Sequence, residues 1–192
     1  MRLFVALDIS AAVRQELETL LRGMRSISIE ARDAPPRWVR PGNVHVTLKF
    51  IGEAGPEKLA SIANGLAAIR FPAPLALTFR GMGFFPDDKR PKVLWVGIQA
   101  SPALPELAAR IDSFLEELGF PREPRGFTPH LTLARFKRPA LPPDLRAAVA
   151  QNAERDFGSY RTNEFHLVES KLKSSGAEYT TVQSFRFTAA EG

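Results

Sequence analysis

The chain has 192 residues, 44% hydrophobic and 24% charged. That composition supports a sizeable core and excludes intrinsic disorder of the whole chain. It holds no cysteine, which excludes disulfides, thiolate metal sites and a cysteine nucleophile. Lys and Arg number 26 against 21 acidic residues, for a net charge of +5, and 19 of the 26 are Arg, a bias toward anionic and phosphate-bearing partners.

Arg2 to Ile9 is apolar and predicts a strand. Asp8 ends its apolar run too early for a secretory segment, and no run reaches the roughly 18 apolar residues of a membrane span. The expectation is a cytoplasmic protein with no membrane partner. Ser10 stands as a helix N-cap, ahead of Val13, Leu17, Leu20, Leu21 and Met24 at helical spacing, with Gly23 as a stop. An Arg- and Pro-rich loop reaches Pro41-Gly42, and Asn43 to Phe50 alternates as a strand. Gly52 to Gly55 reads as a turn, and Pro56 opens a helix lined by Leu59, Ile62, Ala63, Leu66 and Ile69. Pro74 to Arg80 is a third strand, and Gly81-Met82-Gly83 a turn.

The pattern then restarts. Val93 to Ile98 is a strand; Leu104, Leu107, Ile111, Phe114, Leu115 and Leu118 mark a helix closed by Gly119. After a second Arg/Pro loop, His130 to Phe136 is a strand, Pro142-Pro143 opens a short helix, and Tyr160 to Ser170 is the matching strand. Glu178 to Thr188 alternates and pairs as a last strand. The fold class expected is α+β: one bilobal domain over 1–192, with approximate repeats at 1–85 and 91–175 and a C-terminal strand completing one lobe. Two such lobes facing each other create a cleft, a common place for a ligand.

The three histidines are His45, His130 and His166. Two of them open the same pattern at equivalent places in the repeats, His45-Val46-Thr47-Leu48 and His130-Leu131-Thr132-Leu133. On a strand, residues i and i+2 share a face, so each motif presents an imidazole and a hydroxyl together. Arg37 and Arg40 precede His45 by eight and five residues; Arg122 and Arg125 precede His130 by the same intervals. A neutral imidazole can accept a proton from an attacking hydroxyl while a protonated one supplies a leaving alkoxide. Threonine hydroxyls can hold non-bridging phosphate oxygens. Two such pairs suffice to open a cyclic phosphodiester with no metal. His166 has no Thr two residues on and reads as a structural strand residue.

These motifs, the opening Arg2-Leu3-Phe4-Val5-Ala6-Leu7 and the stretch Arg37-Trp38-Val39-Arg40-Pro41-Gly42-Asn43-Val44-His45 resemble the two-histidine phosphoesterases. Within them the chain is similar to the RNA 2′,3′-cyclic phosphodiesterases, also called 2′-5′ RNA ligases. The resemblance spans nearly the whole chain, including Glu169-Ser170-Lys171-Leu172 and Gly176-Ala177-Glu178-Tyr179. It implies two pseudo-symmetric lobes, each with an antiparallel sheet and flanking helices, around an active-site cleft. It implies metal-independent hydrolysis of an RNA terminal 2′,3′-cyclic phosphate to a 2′-phosphate, without cofactor, with reversible 2′-5′ RNA ligation as an accompanying activity. His45 would be the proton donor and His130 the proton acceptor, although nothing in the sequence itself distinguishes them. Thr47 and Thr132 would hold the phosphate.

The resemblance also makes Arg135 attractive as a phosphate ligand. Unbroken strand parity places 131, 133 and 135 opposite His130 unless a bulge intervenes. The same parity puts Lys49 and Phe136 on the histidine faces, Phe136 reading better as core. Trp38 either stacks a base or packs. The partner expected is RNA ending in a cyclic phosphate, bound by a monomer with no obligatory protein partner. The competing readings are a phosphodiesterase for a small cyclic nucleotide and a non-catalytic RNA- or nucleotide-binding module. A zinc hydrolase is weaker, since no carboxylate stands at ligand spacing.

Overall fold

Strand β1 (Arg2–Leu7) is buried from Leu3 to Leu7, because both of its faces are covered. Leu3, Val5 and Leu7 enter the main core, while Phe4 and Ala6 join Val168 and Tyr179 in a second cluster on the other face. A strand covered on both sides reads as a continuous apolar run. The computed structural model describes all residues except 29–34, 73, 125, 139–140, 175 and 189–192.

Helix α1 (Ala11–Ser28) starts where the Ser10 side chain accepts a hydrogen bond from Val13 N at 3.2 Å, a cap of about 1 kcal/mol. It runs past Gly23, the expected stop. A lone glycine costs a helix only about 1 kcal/mol, and Met24, 2% exposed, continues the buried stripe. The remaining elements are β2 (Arg37–Trp38), a 3₁₀ turn (Pro41–Asn43), β3 (Val46–Glu53), α2 (Pro56–Ala68), β4 (Leu75–Phe85), β5 (Val93–Ala100), α3 (Ala103–Glu117), β6 (His130–Arg135), α4 (Pro143–Gln151), β7 (Asp156–Thr162), β8 (Glu164–Lys173) and β9 (Gly176–Arg186).

All the strand pairs are antiparallel, in the order β7-β4-β5-β6-β3-β1-β8-β9, with β2 beside β6. The sheet is curled, and each half holds four main strands: β3-β1-β8-β9 and β6-β5-β4-β7. Among the described residues, the pair Val46 opposite Leu131 joins β3 of one half to β6 of the other. The repeats trade strands. β4 follows the first repeat's helices but pairs with β5, and β8 follows the second repeat's helices but pairs with β1. The helices lie on one side of the sheet, where α1 meets β7 and α4, and α3 meets β3 and α2.

Two more elements differ from expectation. Gly81-Met82-Gly83 is no turn but the middle of β4. Gly81, at φ 75°, sits in a bulge, and a Cβ there would meet Ala153 O at 2.6 Å. A Cβ on Gly83 would run into the Trp95 ring, so close approach explains both glycines. The strand expected over Tyr160 to Ser170 is two strands, broken at Asn163, where the chain passes from β4 in one half to β1 in the other.

Candidate active site

Two β-bulges set the site. Ala6 pairs with Thr47 and Val5 with Lys49, so Leu48 is an extra residue in β3. Trp95 pairs with Thr132 and Leu94 with Ala134, so Leu133 is an extra residue in β6. Each bulge falls three residues after its histidine. A bulge reverses the alternation beyond it, and burial follows: Leu48 and Lys49 are both buried, as are Leu133 and Ala134, and Phe50 and Arg135 emerge on the open side. The open face therefore carries His45, Thr47 and Phe50 from one half, and His130, Thr132 and Arg135 from the other.

This corrects two parity readings. Arg135 joins the histidine face, and its positive charge acts on His45, His130 and Tyr179 alike. Lys49 leaves it: Nζ donates to Asp112 Oδ1 on α3 and, at 2.6 Å, to Pro121 O. Phe136 packs edge-on against Phe84 at 5.9 Å, as a core residue.

The antiparallel pair Val46–Leu131 lays the two motifs side by side in opposite directions. Continuing that register sets His45 across from Thr132, and Thr47 across from His130. Both imidazoles are tied in the same way. His45 Nδ1–H donates to Asn43 O at 2.6 Å, and His130 Nδ1–H donates to Thr128 O at 2.7 Å. Each bond fixes the neutral tautomer whose Nε2 is left for chemistry. In that tautomer Thr47 Oγ1–H donates to His45 Nε2 at 2.9 Å.

Aromatic rings fix the planes of both imidazoles. Phe4 stacks on His45 at 4.7 Å and Tyr179 meets it edge-on at 5.4 Å; Phe85 meets His130 edge-on at 5.1 Å. Burial in this company pushes both histidines below the ordinary imidazole value. For His45 the Asn43 carbonyl and the Asp8 carboxylate oppose the shift, and Arg14 and Arg135 add to it. For His130 the Thr128 carbonyl opposes it and Arg135 adds to it. Burial also raises the Tyr179 phenol. Burial thus favours the neutral form of both imidazoles in the free protein, and an anion bound between them favours protonation.

The other residues singled out in the sequence fall elsewhere. Trp38 is half-buried against the core, with the Arg25 guanidinium 5.9 Å from its ring centroid, which favours packing over base stacking. Arg37 is exposed on β2, beside Arg135 in the ladder. Arg40 stands near Gly176 and acts on Glu178. Arg122 pairs with Glu116 at 2.6 Å. Arg125 lies outside the described residues. His166 reaches further than its structural reading: it lines an open depression beside His45 with Asp8, Asn43, Tyr179 and Thr181. Phe4, Phe50, Phe85 and Tyr179 escape sequence reasoning, although the period-2 alternation of the C-terminal strand carried a signal for Tyr179. Among the described residues no group of three or more His, Asp or Glu gathers as a metal site, and no helix is long and apolar enough to cross a membrane.

The family model described as "2'-5' RNA ligase superfamily" matches residues 13–173. The RNA 2′,3′-cyclic phosphodiesterase of Archaeoglobus fulgidus is 34% identical over 185 residues, covering 96% of this chain and 99% of that one. A crystal structure of a Thermus thermophilus protein superposes with TM-score 0.77 at 30% identity, covering 100% of both chains. Escherichia coli LigT complexed with 3′-AMP superposes with TM-score 0.77 at 27% identity, over 97% of this chain and 98% of that one.

Proposed function

The chain belongs to the 2′-5′ RNA ligase superfamily, and from that premise we propose that it hydrolyses the 2′,3′-cyclic phosphate at an RNA end to a 2′-phosphate. The observation that carries this reading is the pair of imidazoles, each held through Nδ1 by a carbonyl two residues upstream, so that Nε2 is the nitrogen the backbone does not hold, with Thr47 Oγ1 beside that of His45.

The cyclic phosphate lies between the two motifs. Neutral His130 takes a proton from water as the water oxygen attacks phosphorus in line with the P–O3′ bond. As that bond breaks, protonated His45 gives its proton to O3′. Asp8 supports this direction, because its carboxylate favours the imidazolium of His45, whereas the influences on His130 include no carboxylate. Thr47 and Thr132 donate to the non-bridging oxygens, and Arg135 meets the charge that builds on them. The ribose bearing O3′ sits on the His45 side, where exposed Phe50 offers a ring for base stacking. The reaction needs no metal or cofactor. With a 5′-hydroxyl in place of water as the attacking group, the same ring opening makes a 2′-5′ linkage, and its reverse cleaves that linkage to regenerate the cyclic phosphate. The protein acts as a cytoplasmic monomer, with RNA as partner and no obligatory protein partner.

The test is incubation with a short RNA ending in a 2′,3′-cyclic phosphate, in EDTA, with identification of the terminus. A 2′-phosphate is expected. A 3′-phosphate would reverse the leaving oxygen and the donor assignment with it. An untouched RNA end would refute the reading and favour a small cyclic nucleotide or binding alone.

A further inference from the structure

Asp8, just beyond β1, touches none of the reacting atoms of the proposed hydrolysis, yet its place in the sheet ties it to His45. Leu7 pairs with Val46, and both are fully buried on the helix side. The next position in that antiparallel register sets Asp8 across from His45, with both side chains on the open face. On the other edge of β1, Ala6 pairs with His166 of β8. His166 Nε2 lies 3.7 Å from Asp8 Oδ2, and its Nδ1 is hydrogen-bonded to Ser184 Oγ of β9 at 2.9 Å. One carboxylate thus shares a face with two imidazoles, within 3.7 Å of the one that the neighbouring strand anchors. All three line one depression.

The charged and titratable groups facing His45 come from several elements: Asp8 after β1, Arg14 of α1, Arg135 of β6 and Tyr179 of β9, with His166 of β8 reaching it through Asp8. Arg14 is itself held by Pro41 O at 2.6 Å and Val44 O at 3.3 Å. Burial, Arg14 and Arg135 all disfavour an imidazolium at His45. A proton donor in this setting needs a nearby anion, and Asp8 supplies one from outside the phosphate site.

Resting on the reading of His45 as proton donor, we propose that Asp8 is the positioning residue that keeps His45 able to carry its proton to O3′, with His166, anchored by Ser184, holding the carboxylate in place. Asp8 takes no proton itself. The proton moves from His45 Nε2 to O3′, and the carboxylate stabilises the imidazolium that precedes that step.

Two measurements test this on the whole protein. Histidine-detected NMR titration without substrate reads His45 directly in wild type, Asp8→Asn and Asp8→Glu. The pH profile of kcat/KM, on RNA ending in a 2′,3′-cyclic phosphate with EDTA present, reads its consequence. Asp8→Asn is expected to lower the His45 midpoint by about one pH unit and leave His130 in place. The alkaline limb of kcat/KM falls by the same amount, so the rate drops about tenfold above that limb and is unchanged at the optimum's acid side. Asp8→Glu restores the midpoint and the limb, and His166→Phe, which keeps a ring but no polar atom, moves the limb down by less. Asp8 is exposed, so these substitutions leave the core intact. An active Asp8→Asn enzyme with an unmoved His45 midpoint, or a loss of rate uniform across pH, would overturn the proposal. A wild-type protein that never opens the ring, while Asp8→Asn still shifts the His45 midpoint, would instead refute the hydrolysis and retain the coupling.

Discussion

Arg135→Met separates the bulged strand from an unbulged one. With unbroken alternation Arg135 shares the inward face of Leu131 and Leu133, both 0% exposed, and its replacement changes core packing. With the bulge at Leu133 the side chain is exposed on the open face, and a surface substitution of this kind changes stability by only about 0.5 kcal/mol. The effect then falls on rate. Removing one charged donor to the developing phosphoryl charge costs about 3–4 kcal/mol, or roughly 10²–10³ in kcat/KM. A second effect has a definite sign. Arg135 lowers both histidines, so its loss raises both, and both limbs of the pH profile move upward. Arg135→Lys keeps the charge, and with it the limbs, but loses the planar fork and part of the rate. The assay is kcat/KM between pH 4 and 9 on a cyclic-phosphate RNA end, with thermal unfolding alongside. A variant within about threefold of wild type, or one that loses its rate only because it unfolds early, would refute the placement of Arg135.

His45→Ala and His130→Ala should each cost about 10²–10⁴ in kcat at a nearly unchanged melting temperature, and EDTA should leave wild-type turnover intact. Zinc-dependent recovery after chelation would contradict this. Asp112→Ala strands the Lys49 ammonium, 4% exposed, under α3 and should cost about 3 kcal/mol in denaturant unfolding; a loss below about 1 kcal/mol would mean the pair is not buried as described. Gly83→Ala drives a methyl into the Trp95 ring and should cost about 1–3 kcal/mol, read as a lower melting temperature. Because folding buries His45 and His130 as neutral rings, unfolding takes up protons, and stability should fall as pH drops below the unfolded imidazole value of about 6.5. Replacing both by Gln should flatten that part of the stability–pH curve, as followed by thermal melts.

The local elements were legible because their causes are local. Ser10 caps a helix by its own hydroxyl, Gly119 stops α3 by its own φ of 84°, and the spacing of Val13, Leu17, Leu21 and Met24 marks a buried stripe wherever the chain goes. The repeated His-x-Thr-Leu was legible for the same reason: a period of two puts imidazole and hydroxyl on one face within four residues. Where sequence reasoning failed, the deciding partner was distant. The bulges at Leu48 and Leu133 belong to the pairing of β3 with β1 and of β6 with β5, and they turn Lys49 inward to Asp112 and Arg135 outward to the open face. The break at Asn163 and the strand path through Gly81 arise because β4 and β8 cross to the other half to find their partners. The rings of Phe85 and Tyr179 reach the histidines through that crossing and its neighbours, and Phe4 through the pairing of β1 with β3. By itself the sequence singled out the candidate groups for the chemistry and showed that they come in two matched sets. The tertiary structure decided which side chains stand beside them, because in a β-sheet the face a residue shows is settled by the register of a partner far along the chain.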